Sequence, residues 1–257
     1  MRCFSLGIIG NFSGHLSGAE KLAESNLPNG IFVVNGLYNH AISTGSELHF
    51  PTYGSNIQAE PEFVVKFKVE YQGSQVIKLD PIAITIGNDM TIRLLDGSSK
   101  ISERKVWGDE SKGIASNWWD VAQLEQFDDS YKLVSIVKRN GKYIDYTPIA
   151  DPSELKIFNQ WMCEWLVDTI NHQQSIGICR EILPQIKEAS YPDEIVVFCG
   201  APNYTLWGST HFIQPNDEII IAFINSKNTV IEEIVTTLKL GDLINNNNVI
   251  SYSQKVI

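Results

Sequence analysis

The amino-acid sequence predicts an α+β protein in which β-structure predominates. Alternating apolar and polar residues recur in several short segments, and one long segment has the three-and-four spacing of an amphipathic helix. These segments do not follow the regular strand–helix order of a doubly wound sheet. The sequence also lacks a Gly-rich dinucleotide motif and a phosphate-binding loop motif. With 257 residues, the chain is long enough for one large domain or two small ones.

The composition indicates a soluble globular protein with an acidic surface. Lys and Arg number 20 against 30 Asp and Glu, which gives a formal net charge of −10. Without a basic cluster, such a chain is not expected to bind nucleic acid or an anionic membrane. We find neither a convincing signal peptide nor an apolar segment of about 18 residues that could span a membrane. The four cysteines match no zinc motif, so we expect a reduced, cytoplasmic protein with free thiols.

The strands are predicted from period-two alternation. A short apolar strand covers 6–9, and the strongest strand covers 62–71, where Phe63, Val65 and Phe67 alternate with mostly charged residues. A turn at 72–74 followed by an apolar segment at 76–79 predicts a hairpin. Further strands are expected at 83–86, 132–138, 194–199 and 218–224, with turns at 140–141 and 215–217.

One long helix is predicted to begin at Asp151, where Pro152 and Glu154 suit the first helical positions. Its apolar positions run at three-and-four spacing to residue 170, and we expect Trp161 and Trp165 to be core anchors. A weaker helix is expected between 175 and 189, broken or kinked by its proline. From 229 onward the sequence predicts a mixture of helix and strand around the asparagine run 245–248, which reads as a loop.

Two carboxylates stand at the front of the strongest strand, in the segment Gln58-Ala59-Glu60-Pro61-Glu62. Residues two apart on a strand lie roughly 7 Å apart on the same face, so Glu60 and Glu62 can converge on one cation. Surface charge is the commoner interpretation of an isolated pair. Pro61 has no backbone donor, which favours a strand entry or a sheet edge at this point.

Three further residues can complete a site. Asp89 follows an apolar strand, where an aspartate is either a cap or a metal ligand. Lys112 stands in a Ser- and Gly-containing segment, either exposed or reaching towards a substrate. His15 follows a Gly-rich turn after the first strand and is either a solvated side chain or a general base.

Taken in order, these segments resemble the fumarylacetoacetate hydrolase family. Asn11 to His15 is similar to the family's N-Y-x-x-H turn, Glu60-Pro61-Glu62 to its E-x-E pair, and Asp89 to Arg93 to its D-x-S/T-x-R segment. The other matches are Ser111-Lys112 for the lysine, Gly200-Ala201-Pro202 for G-T-P, and Pro215-Asn216-Asp217 for P-G-D. The resemblance spans about residues 6–230 and implies a single domain over 1–257.

The resemblance implies a fold, a metal and a set of site residues. The fold is a mixed β-sandwich roll with one long helix and short peripheral helices, and the protein is expected to be a homodimer. The divalent ion is Mg²⁺, or Mn²⁺ or Ca²⁺. The implied metal ligands are Glu60, Glu62 and Asp89; the implied catalytic residues are His15, Lys112 and Glu20; and the implied substrate-binding residues are Arg93, Lys112, Ala201 and Tyr204.

The departures from the family pattern concern the substrate shell. The glutamate three residues after the family's histidine is Gly18 here, so Glu20 is the nearest acid to His15. The threonine of G-T-P is Ala201, whose missing hydroxyl Tyr204 or Thr205 can replace. The sequence therefore predicts that the family's metal ligands are retained and that its substrate-binding residues are altered, as in a divergent branch of the family.

The function implied by the resemblance is hydrolysis of C–C bonds in small oxo acids, such as acylpyruvates and other β-diketo acids, through a metal-chelated enolate. Decarboxylation and tautomerisation share the enolate step and stay open as alternatives. Besides such an enzyme, the sequence leaves two further interpretations open. One is a family member that binds a small molecule or metal without turnover, and the other is an unrelated β-rich protein in which the acidic pair is surface charge.

Overall fold

The computed structural model describes residues 4–12, 25–36 and 40–257. In this part of the chain the strands are β1 Phe4–Ile9, β2 Gly30–Asn35, β3 Ile42–Ser43, β4 Glu47–Leu48, β5 Ser55–Gln58, β6 Pro61–Gln72, β7 Gln75–Asn88, β8 Thr91–Leu94, β9 Lys112–Ile114, β10 Trp119–Asp120, β11 Tyr131–Arg139, β12 Lys142–Asp145, β13 Glu194–Phe198, β14 Glu218–Asn225 and β15 Val249–Val256. The helices are α1 Ile101–Lys105, α2 Gln160–His172, α3 Leu183–Glu188, α4 Leu206–Thr210 and α5 Ile231–Lys239.

The larger sheet is built around the hairpin of β6 and β7. Its strand order is β2-β1-β13-β6-β7-β9-β3, and β10 adds a further pairing to β7. β1 and β13 run parallel, whereas β13, β6 and β7 are antiparallel neighbours. The register of the hairpin runs from Pro61 opposite Asn88 to Gln72 opposite Gln75. The residues before β6 and after β7 therefore lie side by side at the open end of the hairpin.

The predicted strand at 62–71 and its hairpin are confirmed, with one difference in burial. Phe63, Val65 and Phe67 are fully buried, as the alternation predicts. Val64, on the opposite face, is also fully buried, because a second apolar cluster covers that face near the start of the strand. Only the second half of β6 has one solvated face. The segments 76–79 and 83–86, predicted separately, join into the single long strand β7.

A second sheet, in the order β12-β11-β14-β15-β4, packs on the first. The ring of Phe63 in β6 meets the ring of Phe223 in β14 edge-on at a centroid distance of 5.3 Å. The β11–β12 hairpin turns at Asn140 and Gly141, whose φ values of 52° and 76° suit the tight turn that the sequence predicts. Two packed mixed sheets with few helices confirm the predicted β-rich α+β class.

The long helix begins later than the sequence predicts. Asp151 caps only a short 3-10 turn over Pro152–Glu154, and α2 begins at Gln160 behind the cap Asn159. Between them Asn11 holds the chain extended, because its carbonyl accepts from Lys156 N and its Oδ1 accepts from Ile157 N. These long-range hydrogen bonds override the local helix signal.

The two tryptophans of α2 differ in burial from the prediction. Trp161 is 49% exposed, so the prediction that it is a core anchor is wrong. Trp165 packs against the core while partly exposed.

Pro184 lies in the first turn of α3, where a proline fits, and does not break a helix. The helix and strand predicted after residue 229 are α5 and β15, and the asparagine run lies in the loop between them, as predicted. Within the described ranges, no helix combines the length and apolarity needed to cross a membrane.

We expect Phe63→Ala to lower the free energy of unfolding by about 3–5 kcal/mol, because it opens a cavity where the two sheets meet. Urea unfolding followed by tryptophan fluorescence measures the change. Ile77→Ala, at a side chain that is 49% exposed, is the control and should change stability by less than about 0.5 kcal/mol. Equal effects of the two substitutions would contradict the assignment of Phe63 to the core.

Candidate functional site

Three acidic side chains meet at the open end of the β6–β7 hairpin. Glu60 lies just before β6, Glu62 is its second residue, and Asp89 directly follows β7. Asp89 N donates to the Glu60 carbonyl at 2.9 Å, and Glu60 N donates to Oδ1 of Asn88 at 3.0 Å. One oxygen from each carboxylate lies within 4.8 Å of the other two. We call these three residues the carboxylate cluster; all are at most 3% exposed.

Arg93 ties this cluster to the loop after β13. It lies on β8, four residues after Asp89. Its Nε donates to Oε1 of Gln58 at 2.6 Å, and its Nη2 donates to Oε1 of Glu60 at 2.5 Å. The same Nη2 donates to the hydroxyl of Tyr204 at 2.7 Å. These bonds fix the plane of the guanidinium beside the carboxylates.

The last residue of α1, Lys105, places its ammonium directly between two of the carboxylates. Nζ donates to Oδ2 of Asp89 at 2.6 Å and makes a second, short bond to Oε2 of Glu60. Burial opposes the charge of this side chain, but Asp89 and Glu60 outweigh it and raise the pKa of Lys105 above its ordinary value. Sequence reasoning missed this residue. The available signal is its position four residues after the buried Ile101, which puts both on the inner face of the helix.

Lys112 lies behind the cluster. It is fully buried as the first residue of β9, and Nζ donates to the carbonyl of Met90 while facing Oδ1 of Asp89 at 3.3 Å. Its Nζ also lies 4.3 Å from the ring centroid of Trp107. Burial lowers the pKa of Lys112 to about 8, although Asp89 opposes the shift. Lys112 therefore supports Asp89 from the protein interior.

The electrostatics of the site balance within the described residues. Three carboxylates face three cationic side chains, Arg93, Lys105 and Lys112. Buried charges are tolerated when they are paired in this way. Among the residues that the structure describes, Glu62 is the acid of the cluster without a direct ion pair, and Gly200 N donates to its Oε2 at 2.7 Å. Burial, with Asp89 adding to it, raises the pKa of Glu62 well above its ordinary value.

A cleft of about 460 Å³, including its mouth, opens onto the cluster. Its polar wall contains Glu60, Glu62, Arg93 and Lys105, and Lys112 is not part of it. Its apolar and backbone wall consists of Ile8, Ile9, Gly10, Asn11, Phe12, Phe32, Ile101, Gly200 and Ala201. Of the two lysines beside the carboxylates, Lys105 is the one that faces the cleft.

The buried amide of Asn11 holds the cleft wall together. Its Nδ2 donates to the carbonyls of Ile157 at 3.1 Å and Cys199 at 2.8 Å, and its Oδ1 accepts from Ile157 N at 3.1 Å. Gly200 packs on it with φ of +105°, where a Cβ would lie 3.1 Å from Cβ of Asn11. Only a glycine combines this conformation with this close approach. The Gly10-Asn11 turn therefore fixes Gly200, which in turn bonds Glu62.

The structure brings most of the implied site residues into one place. Glu60, Glu62, Asp89 and Arg93 are in direct or near contact, and Ala201 lines the same cleft. The other implied residues differ in their placement: Tyr204 contacts Arg93, Lys112 lies behind Asp89, and His15 and Glu20 fall outside the described residues.

Comparisons with known proteins agree with this geometry at the level of the fold. A family described as a family of unknown function, DUF5718, matches residues 21–256. No curated protein sequence matches the chain. Several solved structures are similar in fold, and the three given next are described as isomerases or hydrolases.

A 5-carboxymethyl-2-hydroxymuconate delta-isomerase from Mycobacterium smegmatis superposes with a TM-score of 0.55 at 16% identity, covering 99% of this chain and 78% of that one. A protein described as a fumarylacetoacetate isomerase/hydrolase from Oleispira antarctica gives 0.55 at 14%, covering 99% and 93%. One described as a fumarylpyruvate hydrolase from Burkholderia cenocepacia gives 0.55 at 13%, covering 98% and 87%. The fold implied by the sequence resemblance, that of the fumarylacetoacetate hydrolase family, is thereby confirmed.

We expect Asn11→Ala to destabilise the protein by about 2–4 kcal/mol, because it leaves the amide of Ile157 and two carbonyls buried without their partner. Chemical denaturation measures this loss. Asn247→Ala, at an exposed loop position, is the matched control and should be nearly neutral. A neutral Asn11→Ala would show that the wall does not depend on these bonds.

Proposed function

We propose that this chain, which belongs to the family of unknown function DUF5718, is an enzyme of the fumarylacetoacetate hydrolase type that cleaves C–C bonds in small oxo acids. The observation that carries the proposal is the buried carboxylate cluster, of which Glu60 and Glu62 line a cleft together with Arg93 and Lys105. Similar folds bearing hydrolase and isomerase names add support. A fold shared at low identity does not by itself define chemistry, which depends on the side chains of the site.

The cluster suits a hard divalent cation by its donor chemistry. All three side chains offer carboxylate oxygens, and in the described part of the chain Oδ1 of Asp89 accepts no hydrogen bond, although Lys112 Nζ faces it at 3.3 Å. Such oxygens are the preferred ligands of Mg²⁺, Mn²⁺ and Ca²⁺. We therefore propose Glu60, Glu62 and Asp89 as the metal ligands, once the Lys105 ammonium has withdrawn from between them. When bound, the ion supplies a Lewis acid that favours enolate formation from a 2-oxo acid.

The remaining groups of the cleft bind and orient the substrate. Arg93 uses Nε and Nη2 in its bonds within the protein, which leaves Nη1 to meet a substrate carboxylate. We propose that the hydroxyl of Tyr204, which accepts a hydrogen bond from this arginine, replaces the hydroxyl that Ala201 lacks. Phe12 and Phe32 give the cleft an apolar wall that takes the carbon part of the substrate and excludes water.

Proton transfer is proposed for two groups. His15, oriented by Glu20, remains our proposed general base for activating water. The ammonium of Lys105 holds a proton at Nζ on the cleft side of the cluster, where it can neutralise an enolate oxygen. Lys112, held against Asp89 from behind, keeps that carboxylate in position and adds positive charge to the site. We also retain the single domain over 1–257 and the homodimer as proposals.

We expect purified protein to cleave at least one acylpyruvate in the presence of Mg²⁺ or Mn²⁺, in a panel that also contains oxaloacetate and enol–keto pairs. Asp89→Asn should lower kcat/KM by at least about 100-fold, because it removes one charge that organises both the cation and Lys105. Product analysis by mass spectrometry distinguishes hydrolysis from decarboxylation and isomerisation. Asp242→Asn, at an exposed position, carries the same chemical change and should have no effect.

We expect Arg93→Lys to raise KM for a carboxylate-bearing substrate more than it lowers kcat, because a lysine cannot keep both the internal bonds and the substrate contact. Steady-state kinetics on the most active substrate of the panel provides the test. An unchanged KM would remove Arg93 from the substrate site. No turnover across the whole panel, with metal bound, would favour a member that binds a small molecule without converting it.

A further inference from the structure

We propose that the ammonium group of Lys105 is the resident cation of the carboxylate cluster, and that a divalent ion enters only by displacing it. This inference rests on the proposed metal site and concerns how that site is filled. Lys105 then competes with the metal ion for the carboxylate oxygens of the cluster.

The first support is position. Nζ of Lys105 bonds carboxylate oxygens of both Glu60 and Asp89, two of the three side chains whose oxygens lie within 4.8 Å of one another. It also contacts the carbonyl of Asp89 at 3.5 Å. A cation shared by these carboxylates occupies the same space and uses the same oxygen lone pairs. The ammonium and a metal ion cannot both have these partners.

The second support is charge. Among the described residues, the acidic side chains Glu60, Glu62 and Asp89 are matched in number by the cationic side chains Arg93, Lys105 and Lys112. Lys105 is therefore one of three cations that already offset these acids. A divalent ion added beside all three cations brings two more positive charges into a poorly solvated site, which is strongly unfavourable. Withdrawal of the Lys105 ammonium removes one of these charges and restores the oxygen ligands.

The third support is the difference between the two lysines. Lys112 is enclosed by the carbonyl of Met90 and the ring of Trp107 and does not line the cleft. Lys105 lines the cleft, with Nζ 5.6 Å from the ring centroid of Phe32. Its flexible stem can rotate into the open space while the backbone of α1 stays fixed. The exchange is therefore assigned to Lys105 and not to Lys112.

The test is a titration of metal-free protein with Mn²⁺, followed by electron paramagnetic resonance, in the absence of any substrate. We expect Lys105→Met to bind Mn²⁺ at least about 100-fold more tightly than the wild type, because a positive charge within a few ångströms of the ion is removed. Methionine preserves the length of the side chain. Lys68→Met, at an exposed position on β6, makes the same change of net charge and should bind Mn²⁺ like the wild type.

A crystal structure of the wild-type protein soaked in Mn²⁺ decides the question without any variant. We expect an anomalous peak between the carboxylates together with a Lys105 side chain turned into the cleft. A bound ion beside an unmoved Lys105 ammonium would overturn the proposal. So would equal affinities of the wild type and Lys105→Met, or the absence of Mn²⁺ binding by both.

These readouts are independent of turnover. If Mn²⁺ binding follows the expectation while no oxo acid is converted, the exchange stands and the proposed reaction fails. If an oxo acid is converted while Lys105→Met binds Mn²⁺ no more tightly than the wild type, the reaction stands and the exchange fails.

Discussion

The site depends on the neutralisation of three carboxylates that the β6–β7 hairpin buries side by side. The register that pairs Pro61 with Asn88 fixes the backbone of Glu60 and Asp89 against each other, so these acids cannot separate without breaking the sheet. Burying them alone would be very costly. The chain therefore brings cationic side chains from β8, α1 and β9 onto the same point. These three elements thereby supply the positive charge that makes the burial of the carboxylates tolerable.

Much of this arrangement could be predicted because short local patterns in the sequence determine it. Alternation gives the strand that carries Glu62, and the two-residue spacing gives the shared face of Glu60. Asp89 follows from its place after an apolar strand, and Arg93 from the four-residue spacing that the family resemblance uses. In each case the side chain is positioned by its own strand and by the nearest turn. The class of fold followed from the same alternation.

The remainder could not be predicted because it depends on contacts between distant parts of the chain. Asp151 does cap a short turn, as its sequence pattern predicts. However, Asn11, 146 residues before Ile157, hydrogen-bonds the backbone of residues 156 and 157 and keeps them out of the helix. Lys105 carries no motif, and its role arises only when α1 packs against β2 and β8. Lys112 matches the lysine position of the family pattern, yet its side chain points into the interior because of the strand pairing of β9 and the contact with Trp107. Local propensity contains none of this information.

Charge balance also links the proposed reaction with the proposed exchange. With Lys105 between the carboxylates, the described cationic and acidic side chains of the site are equal in number, and the cleft offers Arg93 to an anion. With a divalent ion in its place, the displaced ammonium and the ion together leave an excess of positive charge facing the cleft. An oxo acid that brings a carboxylate and acquires a second negative charge as an enolate offsets this excess. A divalent ion held by Glu60, Glu62 and Asp89 would be favoured most with the enolate formed, and it would then supply the differential stabilisation that the proposed catalysis requires.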